Sequence, residues 1–248
     1  MRVQVLNRSR AEPGTGRRAE PPTGRAHRPA PASALLKFVM AVSGAAMLLF
    51  LLLHMVGNLK IFLGAAELNA YAGWLRTVLE PAVPYGAVLW LTRVGLVAAV
   101  LAHVWSATVL TLRARRARPV KYAVRSKVPG SYAARTMRWG GVIILLFVVY
   151  HLLDLTTGTL NPNGRHLRVY ENLAADFTPG RWYVTLFYVL AVLAVGLHVR
   201  HGLWSGLQTL GYSTGARQRA LRRFSTGFAV LLTAGFLAVP VAVTAGWA

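Results

Sequence analysis

The chain contains no cysteine, which excludes disulfides, a cysteine-ligated iron–sulfur cluster and a covalently attached c-type haem in this chain. Acidic residues are also scarce, with seven Asp and Glu against 28 Lys and Arg and a net charge of +21. Such a charge usually points to a nucleic-acid partner. Here apolar runs of about 20 residues, each long enough to cross a bilayer, separate the basic clusters. We therefore expect the chain to have membrane lipid as a partner, and no nucleic acid.

Five apolar segments dominate the chain, of which 55% is hydrophobic. Lipid requires every backbone polar group to be paired within its own segment, so each segment is predicted to be a helix. The predicted fold class is all-α, an integral membrane bundle of five transmembrane helices formed by residues 34–248. The predicted spans are 36–57, 85–112, 139–157, 182–203 and 224–247. The polar connections 58–84 and 158–181 are long enough to form short surface helices.

The first 33 residues are rich in Arg, Pro and Gly and poor in apolar residues. Such a segment cannot bury a core, so we predict a disordered basic tail over residues 1–33. The tail and the connections 113–138 and 217–223 carry most of the Lys and Arg, whereas connections 58–84 and 158–181 carry few. The positive-inside rule then places the N-terminus in the cytoplasm and the C-terminus outside.

One histidine lies in each of the first four apolar segments: His54, His103, His151 and His198. Ionisable residues inside a membrane are rare and usually functional, although a single one can serve an interhelical hydrogen bond. From the helical rise, His54 and His151 lie about 26 Å and about 20 Å above the cytoplasmic ends of their helices. His103 and His198 lie about 25 Å below the outer ends of theirs. The four histidines therefore sort into an outer and an inner level pair.

Two imidazoles from facing helices are what a bis-histidine b-type haem needs, and helix bundles host such cofactors in their cores. We expect two b haems, one held by His54 and His151 and one by His103 and His198. Zinc or copper fits less well, because the inner pair has no evident third ligand. Small residues at 43–46, 95, 140–141 and 196 would leave room for a macrocycle, or would serve ordinary helix packing.

Four stretches resemble the cytochrome b subunit of succinate dehydrogenases and fumarate reductases, in the class with one anchor chain, five helices and two haems. They are FLLLHMVGNLKIF (50–62), LAHVWSATVLTLRAR (101–115), FVVYHLLDLTTG (147–158) and GLHVRHGLWSGLQTLG (196–211). The resemblance implies the same histidine pairing as the depths of the four histidines in the membrane do. It also chooses His198 over the neighbouring His201 as the ligand, because the family's ligand lies four residues before the Gly of Gly-Leu-Trp-Ser.

The resemblance implies a respiratory enzyme in a bacterial cytoplasmic membrane. A flavoprotein that oxidises succinate and an iron–sulfur protein would dock on the cytoplasmic face, and electrons would pass through the haems to a quinone, in this class usually menaquinone. Two other readings stand beside it. One is the b-type cytochrome anchor of another quinone-linked dehydrogenase, and the other is a transporter with no redox role.

Haem propionates need basic or hydroxyl partners in a medium of low dielectric. Arg93, near the outer end of its segment, is the candidate for the outer haem, unless it extends to the lipid interface. Arg200 and Ser205 are weaker candidates for the inner haem.

Asp154 follows His151 by three residues, about one helical turn nearer the outer surface. A carboxylate at this depth is costly unless it is paired or protonated, so we predict a role in proton exchange with a quinone near the outer haem. Glu67, Asn69, Tyr71 and Arg76 in the first outer connection are predicted to complete the pocket. The alternatives are that Asp154 pairs with Arg93 or caps its helix, and that the quinone binds near the inner haem.

Overall fold

A computed structural model describes residues 31–117 and 130–247, and within them all regular secondary structure is helical. The helices are α1 (Pro31–Asn58), α2 (Ala65–Thr77), α3 (Ala87–Arg116), α4 (Gly130–His151), α5 (Val169–Asp176), α6 (Trp182–Thr209) and α7 (Gln218–Thr244). Short 3₁₀ turns cover Leu59–Leu63 and Pro179–Arg181, and a π-helical turn covers Leu152–Thr156. The predicted tail lies outside the described residues except for its last three, which begin α1.

The five predicted spans are confirmed as helices that are long and apolar enough to cross a membrane. They are Ala32–Leu63, Ala87–Arg116, Met137–Thr156, Pro179–Thr209 and Gln218–Thr244. The predicted short surface helices are also present, as α2 and α5 in the two polar connections. Both connections lie at the same end of the bundle, which we name the loop end. The opposite end, where Arg113–Arg116 and Arg217–Arg223 lie, is the arginine end.

The outward surface of the bundle is apolar, as a lipid environment requires. Leu91, Leu101, Leu146, Leu190 and Leu231 each expose well over half of their surface. Large aromatic side chains gather near the helix ends, where amphipathic rings favour the boundary between lipid and water. Exposed examples are Trp74, Trp90, Trp182 and Trp247 near the loop end and Trp139 and Tyr212 near the arginine end.

The helices pack most closely as α1 with α3, α6 with α7, and α4 with α6. Two glycines allow close approach to α7. A Cβ on Gly196 would collide with Oγ1 of Thr233, and one on Gly235 would collide with Sδ of Met55. Gly196 therefore serves helix packing rather than leaving room for a macrocycle. By contrast, α1 and α4, and likewise α3 and α6, are not among the closely packed pairs of the described chain.

The loop end is closed by a buried apolar cluster that joins the short helices to α6 and α7. Its members are Ile61, Leu68, Leu173, Phe177, Val184, Tyr188, Val239 and Val243. Asn69 fixes α2 to α5, because its amide nitrogen donates to Glu171 at 2.9 Å and its amide oxygen accepts the Tyr170 N–H at 3.1 Å. This part of the molecule is thus a packed cap over the spans.

Candidate functional site

The structure brings the four membrane histidines together in the two pairs that their depths predict. The ring centroids of His54 and His151 are 5.9 Å apart, with an interplanar angle of 80°. Those of His103 and His198 are 6.3 Å apart, with an angle of 59°. Each pair joins two helices that are not closely packed, α1 with α4 and α3 with α6. The imidazoles therefore meet across gaps between helices.

These separations can be compared with a bis-histidine iron. Imidazole nitrogens bind first-row metal ions at about 2 Å, which puts the centroids of two imidazoles on opposite sides of one iron roughly 6 Å apart. Both pairs meet this requirement. Within residues 31–117 and 130–247, no three His, Asp or Glu side chains converge as ligands of a bare metal ion. A cofactor that needs two protein ligands, as a b haem does, is what the geometry can accommodate.

The pair of His103 and His198 lies beside polar backbone. Nδ1 of His103 is 3.0 Å from the Met40 carbonyl, which can only accept, so the proton lies on Nδ1 and Nε2 is free to bind a metal. The absence of a side chain at Gly44 leaves space for the His103 ring, since a Cβ there would be 3.3 Å from Cε1 of His103. Gly141 is similarly close to His198, at 3.8 Å from its Cε1. Two of the small residues predicted to make room thus border the rings of His103 and His198.

The pair of His54 and His151 lies among aromatic side chains instead. Phe50 stacks on His54 at a centroid distance of 5.2 Å, and Phe236 of α7 lies 5.9 Å from it. Phe147 and Tyr188 approach His151 at 5.7 and 6.1 Å. Nδ1 of His151 is buried and has no hydrogen-bond partner in the described chain.

The two pairs lie one above the other along the bundle. Gly44 of α1 borders His103, and His54 follows ten residues later on the same helix. Ten residues of α-helix rise about 15 Å, so this is the approximate axial distance between the pairs. Two electron carriers at this spacing would lie on one line from the arginine end to the loop end.

His201 is separated from both pairs by its contacts. Its ring lies 5.6 Å from that of Trp204 one turn along α6, and Trp204 in turn carries the Arg222 guanidinium at 4.7 Å. Nε of Arg200 donates to the Thr226 hydroxyl at 3.1 Å, which joins α6 to α7. The ring of His201 thus lies against Trp204, whereas the ring of His198 lies against that of His103. The side chain of Ser205, the other predicted propionate partner, makes no hydrogen bond to His103 or His198 within the described residues.

Arg93 lies on α3, and its guanidinium stacks on Trp90 one turn earlier, 5.0 Å from the ring centroid. It forms no ion pair with Asp154, whose hydrogen-bond partner is Tyr188. The alternative of an Arg93–Asp154 salt bridge is therefore wrong. Contact with Trp90, which is largely exposed, is the arrangement expected of an arginine at the lipid boundary.

Asp154 lies in the π-helical turn that follows α4 and is fully buried. Such turns widen the helix locally and are frequent at functional sites. Its Oδ2 accepts a hydrogen bond of 2.7 Å from the Tyr188 hydroxyl of α6. Since Tyr188 also lies against His151, the carboxyl is connected to the loop-end histidine pair through a single aromatic ring.

Of the four predicted pocket residues, two come together and two do not. Glu67 and Tyr71 line a surface groove of about 450 Å³ with Lys60, Ala70 and Trp74. The Lys60 ammonium lies 5.4 Å from the centroid of the Tyr71 ring. Asn69 instead holds Glu171, and the Arg76 guanidinium binds the Ala72 carbonyl of its own helix.

Sequence reasoning missed three polar residues of this region: Tyr188, Asp176 and Arg181. Asp176 is fully buried at the end of α5, where Arg181 binds it at 2.8 Å. The scarcity of acidic residues is the only feature of the sequence that could have drawn attention to Asp176, because a carboxylate in a loop normally lies in water.

No family model, curated protein or solved structure matches the chain.

Proposed function

We propose that the chain is the two-haem, quinone-reactive membrane anchor of a succinate:quinone oxidoreductase in a bacterial cytoplasmic membrane. The observation that carries the proposal is the two stacked histidine pairs, with ring separations of 5.9 and 6.3 Å. Each pair would hold one b haem, whose iron passes single electrons. His103 and His198 would hold the one nearer the arginine end, and His54 and His151 the one nearer the loop end.

The chain's own residues would fix the ligands rather than perform chemistry at the iron. The Met40 carbonyl holds the His103 tautomer that leaves Nε2 free, which also increases the basicity of the ligand. Phe50 and Phe147 restrict the rings of the other pair. The exposed arginines of the arginine end offer a positive surface to an acidic iron–sulfur subunit, with the flavoprotein bound beyond it.

The quinone would bind at the loop end, close to His54 and His151. Three features support this location. Asp154 and Tyr188 place a buried proton-carrying group beside His151. The groove of Lys60, Glu67 and Tyr71 lies on the 3₁₀ turn and α2, which follow His54 along the chain. Both aromatic rings of the groove, Tyr71 and Trp74, are stacked at 5.7 Å, and such rings suit a planar apolar ligand.

The haem proposal is tested by a reduced-minus-oxidised absorption spectrum of the purified chain, with haem and protein both quantified. We expect b-type bands and two haems per chain. A colourless chain would overturn the proposal and favour a transporter. Purification of the tagged chain from its own membranes should recover a flavoprotein with succinate dehydrogenase activity, whereas recovery of a different dehydrogenase would reassign the anchor.

The quinone location is tested with a photoreactive menaquinone analogue in membranes that contain the assembled complex. We expect covalent labelling of peptides from residues 60–74, suppressed by excess unlabelled menaquinone. Suppressible labelling confined to residues 196–209 would move the site to the arginine end.

A further inference from the structure

Two fully buried carboxyl groups meet at the loop end of the bundle. Asp154 comes from the π-helical turn after α4, and Asp176 ends α5. Each has one oxygen in a hydrogen bond: Oδ2 of Asp154 with the Tyr188 hydroxyl at 2.7 Å, and Oδ1 of Asp176 with the Arg181 guanidinium at 2.8 Å. The other oxygen of each carboxyl is buried and has no partner in the described chain.

The helix α5 packs against the π-helical turn, which makes the two carboxyl groups neighbours. Two ionised carboxylates are both acceptors, so they would repel each other and leave two buried oxygens unsatisfied. One proton between them turns one carboxyl into a donor and satisfies both oxygens. The charge also balances, because the single negative charge that is left faces the single positive charge of Arg181.

We propose that Asp154 and Asp176 form an acid–carboxylate pair that shares one proton and exchanges it between a quinone at the loop end and the water beyond Arg181. The shared proton requires neither haem nor quinone, whereas its delivery to a quinone rests on the proposed function. Arg181 is the link to water, since about a quarter of its side chain is exposed, at 26%, while it binds both the carboxylate and the backbone carbonyl of Asp176.

Other groups around the pair leave this charge balance unchanged. Tyr150 of α4 and Tyr188 of α6 contribute phenol hydroxyls, and that of Tyr188 donates to Asp154. From α7, Thr244 contributes a hydroxyl that donates to the Phe177 carbonyl. Glu171, on the outer face of α5, is a separate acid, and its hydrogen bond from Asn69 lowers its pKa.

Burial and the neighbouring Asp154 raise the pKa of Asp176 to about 7, against the opposing effect of Arg181. The pair therefore keeps its proton below about pH 7 and loses it above. Reduction of a quinone to a quinol consumes two protons and two electrons, which the two haems of the proposed function would deliver one at a time. The pair supplies one proton to a quinone oxygen and regains it from water, while the second proton comes from the water on the same side. Oxidation of a quinol runs these transfers in reverse.

The test is infrared spectroscopy of the full chain in lipid nanodiscs, titrated from about pH 5 to about pH 9 in H₂O and D₂O. We expect a carbonyl band of a protonated carboxyl that shifts in D₂O and disappears near neutral pH. In Asp154→Asn this band should be absent at about pH 6. Asp176 then stays ionised, because the new amide and Arg181 both donate hydrogen bonds to its carboxylate. Arg181→Gln should keep the band up to a pH higher by about one unit or more.

Glu171→Gln is the matched control, since it removes an acid from the same helix while its amide oxygen still accepts from Asn69. The band should persist unchanged in that variant. A wild-type chain without the band, or a band that neither Asp154→Asn nor Arg181→Gln alters, would overturn the shared proton.

The exchange with quinone is tested separately in the assembled complex. In Arg181→Gln the pH dependence of the quinone reduction rate should shift to higher pH together with that of the infrared band. An unchanged pH dependence of the rate would overturn the exchange of the proton with quinone. A chain with the band but no haem would overturn the proposed function alone. Two haems without the band would overturn the proton pair alone.

Discussion

The two histidine pairs have the same ring spacing but different surroundings. His103 and His198 lie beside the Met40 carbonyl and bordering glycines, toward the arginine end. His54 and His151 lie among aromatic rings. Tyr188 connects the latter pair to the buried carboxyl of Asp154. Under the proposed function, this difference gives the two sites different roles. The site of His103 and His198 would transfer electrons only, whereas the site of His54 and His151 would couple electron transfer to proton transfer.

Removal of a single ligand is expected to have the largest effect, and it should separate the two sites. His103→Ala should lower the content from two haems per chain to one, because His198 alone provides one of the two axial bonds. His54→Ala should remove the other haem and leave the first. Haem per chain and the potential of the haem that is retained provide the measurement. Retention of both haems with two histidine ligands each in His103→Ala would show that the pairing is wrong.

Asp154→Asn in the assembled complex should separate proton chemistry from electron transfer. A positioned acid or base typically contributes a hundredfold or more, so we expect quinone reduction to fall roughly a hundredfold. Both haems, and succinate oxidation by artificial electron acceptors, should persist because no histidine is changed. Glu171→Gln should leave quinone reduction near its normal rate. Normal quinone turnover in Asp154→Asn would remove this carboxyl from the mechanism.

The spans and the histidine pairing could be predicted from the sequence because each depends on one simple quantity. Span length follows from apolar runs, and depth follows from the helical rise. His54 and His151 could be matched by level alone, without knowledge of how α1 and α4 pack. The two short surface helices also followed from the length of their polar connections.

The polar details of the loop end could not be predicted, because they depend on how the loops fold back. Asp176 belongs to a short polar helix, and only tertiary packing buries it against Asp154. Asn69 and Arg76 lie on the same helix as Glu67 and Tyr71, yet the pitch of α2 directs them to other partners. The π-helical turn that brings Asp154 inward likewise has no signal in the sequence.

Gly44→Ala should disturb the pair of His103 and His198 without affecting the other. An alanine Cβ would lie 3.3 Å from Cε1 of His103, so the ring must shift by a few tenths of an ångström. We expect a changed potential for one haem and an unchanged potential for the other. Gly227→Ala on α7 is the control, because nothing lies within 4 Å of its added Cβ and Gly227 is not among the small residues predicted to make room for a macrocycle. Equal effects of both substitutions would mean that helix propensity, not contact with the ligand, is responsible.

His201→Asn should have the smallest effect, and it sharpens the assignment of the ligand on α6. His201 and His198 are one turn apart, but the ring of His201 contacts Trp204, while that of His198 lies 6.3 Å from the ring of His103. Both haems should therefore remain in His201→Asn, with at most a modest change in one potential because the polarity near the ligand changes. His198→Asn should lose one haem completely. Loss of that haem in His201→Asn, with retention in His198→Asn, would reverse the assignment and require α6 to turn about its axis.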